Sequence, residues 1–396
     1  MRIGYVCVDA GIPLFGCKGA SVHVQGVVSA MERAGHEVTL IGARLGEGRP
    51  AWSDHVRVVH LPAPSVADEV PGAPDDGHGA PWIASLNRAL FRTLEEHGPY
   101  DAIYERYSLW SFGAMEYARD FGLPGILEVN APLIEEQAAH RGLTNRAGAE
   151  GVAGRVFQAA SQIVAVSHEV AEYVNRHPST AVPPVVEANG FDPTRFRETP
   201  PPAGERPFTI GFLGTLKPWH GVDLLADILA LVRQTEPNAR LLIVGDGPER
   251  ARLRLRVEAA CGDDAAEFAG AVAPDEVGNW LRRMDVALAP YPADAPFYFS
   301  PLKVVEYMAA AVPPIASAIG QIPTLVRHGA TGLLVPPGDA HEFAQACLML
   351  ERDPALRWRL GQAARREAMA ERTWDAVVQR ILDRALGAAP HAPVFT

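Results

Sequence analysis

No Cys-x-x-Cys spacing occurs anywhere in the 396 residues. The four cysteines, Cys7, Cys17, Cys261 and Cys347, lie far apart, which excludes a disulfide framework and a zinc site. They read as mostly buried thiols of a reducing compartment. An excess of positive charge is missing too. The net charge is −11, from 36 basic and 47 acidic residues, and a general nucleic-acid or bilayer-binding surface needs the opposite balance. A local basic patch stays compatible with this total, but peripheral membrane contact finds no support in it. No uninterrupted apolar stretch approaches the ~20 residues of a transmembrane helix. Met1 to Val6 runs straight into a strand without the long apolar region of a signal peptide. The expected setting is cytoplasmic.

Several motifs are also absent. There is no Gly-x-Gly-x-x-Gly fingerprint, Ser nucleophile elbow, His-Glu-x-x-His or Walker A loop. Asp75-Asp76 is not Asp-x-Asp. Neither a cofactor nor a metal is expected.

What is present is the composition of a folded protein, 48% apolar and 21% charged, long enough for two or three domains. Ile3 to Val8 is a continuous apolar strand, as in a parallel sheet covered on both faces. A Gly-rich loop from Gly11 to Gly19 follows, then a helix from about Ser21 to Arg33 and a strand at Glu37 to Ile41. Further short apolar strands, separated by helical segments, make residues 1–191 a doubly wound domain. Pro62 to Pro81, rich in Pro, Gly and Asp, reads as a surface excursion. Residues 192–206, with Pro200-Pro201-Pro202, read as a linker. The same alternation restarts at Phe208 and gives a second domain over 207–372. The last helical stretch in 373–396, from about Trp374 to Leu386, is assignable to either domain, including by crossing back to the first. The fold class is therefore α/β, two Rossmann-like domains facing a central cleft where the strands' carboxyl ends meet ligand.

The most informative segment is Phe297 to Met308. Ser300-Pro301 reads as a helix start, an N-cap hydroxyl followed by proline at the first position. Lys303 then falls in the first turn, where the helix dipole disfavours a cation unless an anion docks there. Glu306 lies one turn on, on the same face; an ordinary i,i+3 surface pair is the competing explanation. The rings of Phe297, Tyr298 and Phe299 either line a pocket or pack down. A second segment, Gly214 to Gly221, brings Thr215, Lys217 and His220 to a strand-to-helix loop suited to phosphate, or to an ordinary loop with Trp219 packed under it. Gly245-Asp246-Gly247-Pro248-Glu249 is a phosphate or ribose neighbour, or a common turn. In the first domain Gly16, Gly19 and His23 follow the first strand. Glu105-Arg106 and Glu128-Val129-Asn130 end two others, where charged residues are usually solvated.

Taken together and in this order, these marks resemble the GT-B glycosyltransferases of family 4. Further marks are Asn189-Gly190-Phe191-Asp192, similar to the family's Asn-Gly-Val-Asp, then Phe268-Ala269-Gly270 and the run from Gly329 to Asp339. The resemblance implies a nucleotide-sugar donor on the second domain, a hydroxyl acceptor on the first, retention of configuration and no bound metal. It implies that Glu306, the second Glu of the family's E-x7-E motif, meets the ribose. The backbone from Phe299 through Ser300 and Pro301 to Leu302 would meet the diphosphate and sugar. Tyr298 stands where the first Glu of that motif is expected. Thr215 and His220 stand at the family's diphosphate Arg and Lys, so Lys217 and Lys303 are expected to supply the charge and His220 a hydrogen-bond donor. UDP is the favoured donor nucleotide. The acceptor stays open among glycan, lipid-linked sugar and specialised-metabolite aglycone. The rival readings are a GT-B NDP-sugar epimerase and a non-catalytic sugar-nucleotide binding protein.

Overall fold

The computed structural model describes residues 1–62, 64, 79–197, 206–293 and 297–387. Asp75-Asp76, Pro200 to Pro202, most of the expected surface excursion and the tail from 388 lie outside the described residues. The chain divides into two compact units: Met1–Asn189 with Tyr298–Ser300 and Trp374–Thr396, and Gly190–Phe297 with Pro301–Thr373.

The first unit opens with β1 (Arg2–Cys7), α1 (Gly19–Arg33), β2 (Glu37–Gly42) and β3 (Arg57–His60). It continues through α2 (Ala80–His97), β4 (Ala102–Arg106), α3 (Gly113–Asp120) and β5 (Gly125–Val129). Then come α4 (Leu133–His140), α5 (Arg146–Ala159), β6 (Gln162–Ala165), α6 (His168–Arg176) and β7 (Val185–Val186). The strands form one parallel sheet in the order β3-β2-β1-β4-β5-β6-β7. The strands are apolar along their length because helices cover both faces; β4 and β5 are buried at every position. Strand order reverses between β1 and β4, and at such a switch point the two strand ends open a crevice.

The second unit repeats the plan with β8 (Thr209–Leu213), α7 (Val222–Arg233), β9 (Arg240–Val244), α8 (Arg250–Cys261) and β10 (Ala266–Gly270). After α9 (Val277–Leu281) come β11 (Val286–Ala289), α10 (Leu302–Ala309), β12 (Pro314–Ser317) and α11 (Ile322–Leu325). The unit closes with β13 (Leu333–Val335), α12 (Ala340–Arg352) and α13 (Pro354–Glu371). Its parallel sheet runs β10-β9-β8-β11-β12-β13, with the reversal between β8 and β11.

One feature was left open by the sequence reading and two differ from it. The last helix, α14 (Trp374–Gly387), belongs to the first unit. Trp374 lies against Gly26 of α1, where an added Cβ would come 2.1 Å from the indole nitrogen. Arg33 holds Asp375 at 2.7 Å, and Arg380 and Arg384 both reach the buried Glu187. The stretch expected as linker is packed where it is described. The Phe191 N–H donates to the Arg372 carbonyl, and Phe191 and Phe196 are buried in the second unit. That unit begins at Gly190, two residues ahead of the expected linker start at 192 and well ahead of the expected domain start at 207. Finally, α1 begins at Gly19 rather than Ser21.

Trp374 is 2% exposed, so Trp374→Ala should cost about 3–5 kcal/mol. The expected outcome is a lower urea midpoint by circular dichroism. An unchanged midpoint would show that α14 contributes nothing to the first unit.

Candidate active site

In the second unit, three chain segments converge at the reversal between β8 and β11. The first leaves β8 through Gly214, whose φ of +132° suits only glycine. The second leaves β9 through Gly245, where an added Cβ would lie 2.0 Å from the Gly214 carbonyl oxygen. The two loops are tied together. Gly214 N–H donates to Val244 O at 2.9 Å, Leu216 N–H to Asp246 O at 3.0 Å and Glu249 N–H to Leu216 O at 3.2 Å. A Cβ on Gly247 would likewise meet Leu216 O at 2.5 Å, so this floor is backbone on backbone.

The third segment is α10. Its second residue, Lys303, is 8% exposed, and its ammonium has no hydrogen-bond partner among the described residues. Nζ lies 4.2 Å from the centroid of the Phe212 ring and 5.3 Å from that of Tyr291. A Cβ on Gly214 would stand 3.2 Å from it. Burial pushes the Lys303 pKa down to about 7, with Glu306 pulling it back up. The aromatic faces give an ammonium some attraction, but they do not replace water at its three N–H donors. A buried, unsatisfied cation under a glycine backbone is suited to an anion.

Glu306 is half-buried one turn along α10 and pairs with Arg195, Nη2 to Oε1 3.3 Å, while Arg195 Nε donates to Pro274 O at 2.6 Å. Burial raises the Glu306 pKa; Arg195 and then Lys303 hold it down. The ordinary Lys303–Glu306 surface pair is thus not what forms. Arg195 was missed, because it falls in the stretch read as linker.

The expected helix start is also corrected. Pro301 is the N-cap, no side chain caps the helix, and Ser300 turns away to accept from the Asn189 N–H at 3.1 Å in the first unit. Pro301 is buried, while Phe299 and Leu302 are half-buried. The three rings pack down. Phe297 is buried edge-on to Tyr291 at 4.7 Å, and Tyr298 packs on the first unit's core beside Phe299, with its carbonyl accepting from Ser167 Oγ at 2.6 Å.

His220 differs from its expected role. Its Nδ1 lies 2.6 Å from the Thr215 carbonyl, so that nitrogen carries the proton and donates there. Burial and then the Lys303 charge push its pKa well down. A neutral ring in this tautomer presents Nε2 as an acceptor, not as a donor to phosphate. Lys217 lies over the Trp219 ring at 5.4 Å, and Trp219 is 45% exposed rather than packed under its loop.

In the first unit, the charged residues at the strand ends are buried instead of solvated. Glu105 is fully buried at the end of β4, accepts the Ser111 hydroxyl, and is pushed up to about 7 by burial. Glu128 at the end of β5 lies 2.8 Å from His23 Nε2 on α1. Burial lowers the His23 pKa, whereas the Glu128 carboxyl is held below its ordinary range against burial by His23 and then Arg106. His23 also meets the Trp374 ring edge-on at 4.7 Å. Arg106 Nη1, Glu128 Oε2 and both amide atoms of Asn130 are buried without hydrogen-bond partners among the described residues. Buried polar atoms are normally paired, so this cluster is suited to a polar ligand. Gly16 and Gly19 serve the loop backbone: Gly16 O accepts from Gln25 at 2.9 Å, and Gly19 opens α1.

In the same unit the loops after β1 and β4 help to wall a cavity of about 260 Å³, with Trp82, Leu109, Trp110 and Leu133 in its lining. None of these was singled out from sequence. Ser108-Leu109-Trp110-Ser111 follows β4 directly, and that position at the reversal was the available signal. A second neglected signal is lysine scarcity. Only Lys18, Lys217 and Lys303 occur among the 36 basic residues, and each stands in a loop or helix start already marked. Among the described residues, no group of three or more His, Cys, Asp or Glu is placed to hold a metal ion. No helix among them is long and apolar enough to cross a membrane.

A family model described as Glycosyl transferase 4-like domain matches residues 18–190, and one described as Glycosyl transferases group 1 matches 207–353. The chain belongs to the GT-B glycosyltransferases of the family 4 type. It is similar to a D-inositol 3-phosphate glycosyltransferase of Pseudarthrobacter chlorophenolicus, at 26% identity over 94% of this chain and 93% of the relative. A GDP-mannose-dependent alpha-(1-6)-phosphatidylinositol monomannoside mannosyltransferase of Mycobacterium tuberculosis is 34% identical over 49% of this chain and 53% of its own. Among solved structures, HepE of Anabaena in complex with UDP and glucose superposes with a TM-score of 0.70 at 20% identity, covering 97% of this chain and 99% of that one, which shows the fold.

Lys303→Met should stabilise the protein. The folded-state pKa of about 7 lies below the ordinary 10.5, so charging Lys303 opposes folding most at pH 7 and below. That cost shrinks as pH rises toward 10.5. A gain on the order of 2 kcal/mol, or about 4–8 °C in Tm at pH 7, is expected in calorimetry, fading in alkali. A lowered Tm at pH 7 would mean that the ammonium is already satisfied.

Proposed function

We propose that this glycosyltransferase moves a sugar from a UDP-sugar to a hydroxyl acceptor with retention of configuration, using its own cations in place of a metal ion. The observation that carries this reading is the buried, unpaired Lys303 ammonium beneath the Gly214 backbone, one helical turn from the Arg195–Glu306 pair. A nucleoside diphosphate brings two needs together: charge for the diphosphate oxygens and acceptors for the ribose hydroxyls. Lys303 and the first-turn backbone of α10 meet the first, assisted by Lys217, and the Glu306 carboxylate meets the second. Gly245 and Gly247 let the two loops close into one backbone floor for the nucleotide.

Catalysis is then electrostatic. As the glycosidic bond to the diphosphate breaks, negative charge grows on the leaving oxygen, and a fixed, already desolvated ammonium acts on it without reorganisation. The acceptor attacks from the same face through an oxocarbenium-like transition state, and the leaving phosphate oxygen takes its proton. The acceptor belongs to the first unit, at the reversal between β1 and β4, where Arg106, Glu128 and Asn130 hold buried polar atoms without partners. UDP is favoured because a neighbour of this fold is solved with UDP and glucose; the GDP-mannose named for the mycobacterial relative sets the competing base.

Thermal-shift titration with UDP and GDP tests the donor. UDP at 100 times its Kd should stabilise by about 2.7 kcal/mol. A larger shift with GDP at equal concentration would move the assignment to a guanine nucleotide. Lys303→Met should weaken UDP about 10–100-fold, as expected for a lost charged hydrogen bond.

The pH profile supplies a second check. Diphosphate binds the protonated Lys303, so affinity is full below about pH 7 and falls as pH rises beyond it. The limiting slope is roughly tenfold per pH unit, and it should be absent in the variant. A flat wild-type profile between pH 7 and 9 would remove Lys303 from the diphosphate site.

A further inference from the structure

We infer that the acceptor carries an uncharged apolar moiety, seated in the first-unit cavity, and that phosphorylated acceptors are rejected. This rests on the reading of the chain as a glycosyltransferase whose acceptor is held by the first unit, and it narrows the substrate class within that reading.

The cavity stands at the carboxyl ends of β1 and β4, the place in an open α/β sheet where ligands bind. Its size, about 260 Å³, is at the small end of ligand sites. Trp82 and Trp110 are half-buried, Leu109 is 9% exposed and Leu133 is half-buried, so the walls hold apolar surface only partly removed from water. An apolar group seated there removes the rest, at roughly 25 cal/mol for each Å² covered. Trp side chains contribute large area at small entropic cost, as at other recognition surfaces.

The charges on the wall then decide what else the acceptor carries. Asp9 and Glu136 face one guanidinium, Arg141, so the lining is net negative. Asp9 Oδ1 already accepts the Gly11 N–H at 2.7 Å, which fixes that carboxylate at the rim. A phosphate would enter with up to two negative charges beside two carboxylates. Arg106, at the end of β4, already acts on Glu128, whose carboxyl it helps His23 to hold down against burial. The Tyr298 phenol adds no charge near neutral pH, because burial and Glu136 push it up to about 12. The apolar seat is thus lined by a net negative wall, and the buried polar atoms of Arg106, Glu128 and Asn130, at and after the ends of β4 and β5, suit hydroxyls. That chemistry differs from the inositol 3-phosphate in the names of the full-length relatives.

Isothermal titration of the full-length protein with 2-naphthol, 1-decanol, 2-naphthyl phosphate and inositol 3-phosphate tests this. An uncharged probe should bind at least tenfold more tightly than either phosphate; whether naphthol or decanol leads separates a ring from a chain. Trp110→Ala and, as a second variant, Leu133→Glu should each weaken that probe at least tenfold while leaving the UDP thermal shift intact. Asp9→Asn with Glu136→Gln should narrow the gap between naphthol and its phosphate. The inference is overturned if either phosphate binds as tightly as the uncharged probes, or if both cavity variants bind the uncharged probe normally. A protein that shifts with UDP but ignores both uncharged probes keeps its donor assignment and loses this acceptor class. One that shifts with neither UDP nor GDP loses the donor reading, whatever naphthol does.

Discussion

A lysine ammonium held in the interior without a hydrogen-bond partner is the constraint around which the second unit is arranged. Lys303 reaches that position because α10 starts abruptly at Pro301 and the loop above it has no side chain at Gly214. The rings of Phe212 and Tyr291 form its walls and exclude water. Each of these features would be a defect in a purely structural domain: an uncapped helix, a cation at the positive end of the dipole, and a desolvated charge. They become consistent once an anion is allowed for. The same anion explains why two loops are pressed together through glycines at Gly245 and Gly247, since a Cβ at either would collide with the backbone it rests on.

The first unit uses its reversal point differently. Its buried charges are already partly matched, with His23 on Glu128 and Ser111 on Glu105. What is left over is polar and of mixed sign at Arg106, Glu128 and Asn130, in the same unit as an apolar cavity. One Rossmann-like plan thus supports two kinds of recognition, because the strand ends fix where ligands go while the loop residues fix which ligands fit. Trp374 links this site to the rest of the unit, as one ring packs against Gly26 and meets His23.

Much of this was legible in the sequence, because strand and helix patterns are local. The apolar run at Ile3 to Val8 and the alternation that restarts at Phe208 follow from burial of both sheet faces. Lys303 was legible for a related reason: its conflict with the helix dipole is a matter of a few residues. Arg195 was not, because its role depends on Glu306, more than a hundred positions away, and its own neighbourhood reads as linker. Trp82, Trp110 and Arg141 were hidden similarly, since a cavity wall drawn from several loops has no sequence period. Ser300 looked like an N-cap by local rules, but the Asn189 N–H took its hydroxyl instead.

The sequence by itself determined the class of fold, the position of the glycine-rich strand-to-helix loops, and the lysine whose charge conflicts with its helix dipole. All of these are set by spacing along a short stretch of chain. Only the tertiary structure decided which charges are buried, that His220 donates to Thr215 rather than outward, that Tyr298 lies against the first unit's core, and that α14 completes that unit. Burial and hydrogen-bond direction depend on what packs from distant parts of the chain, and desolvation energies follow that packing rather than residue identity.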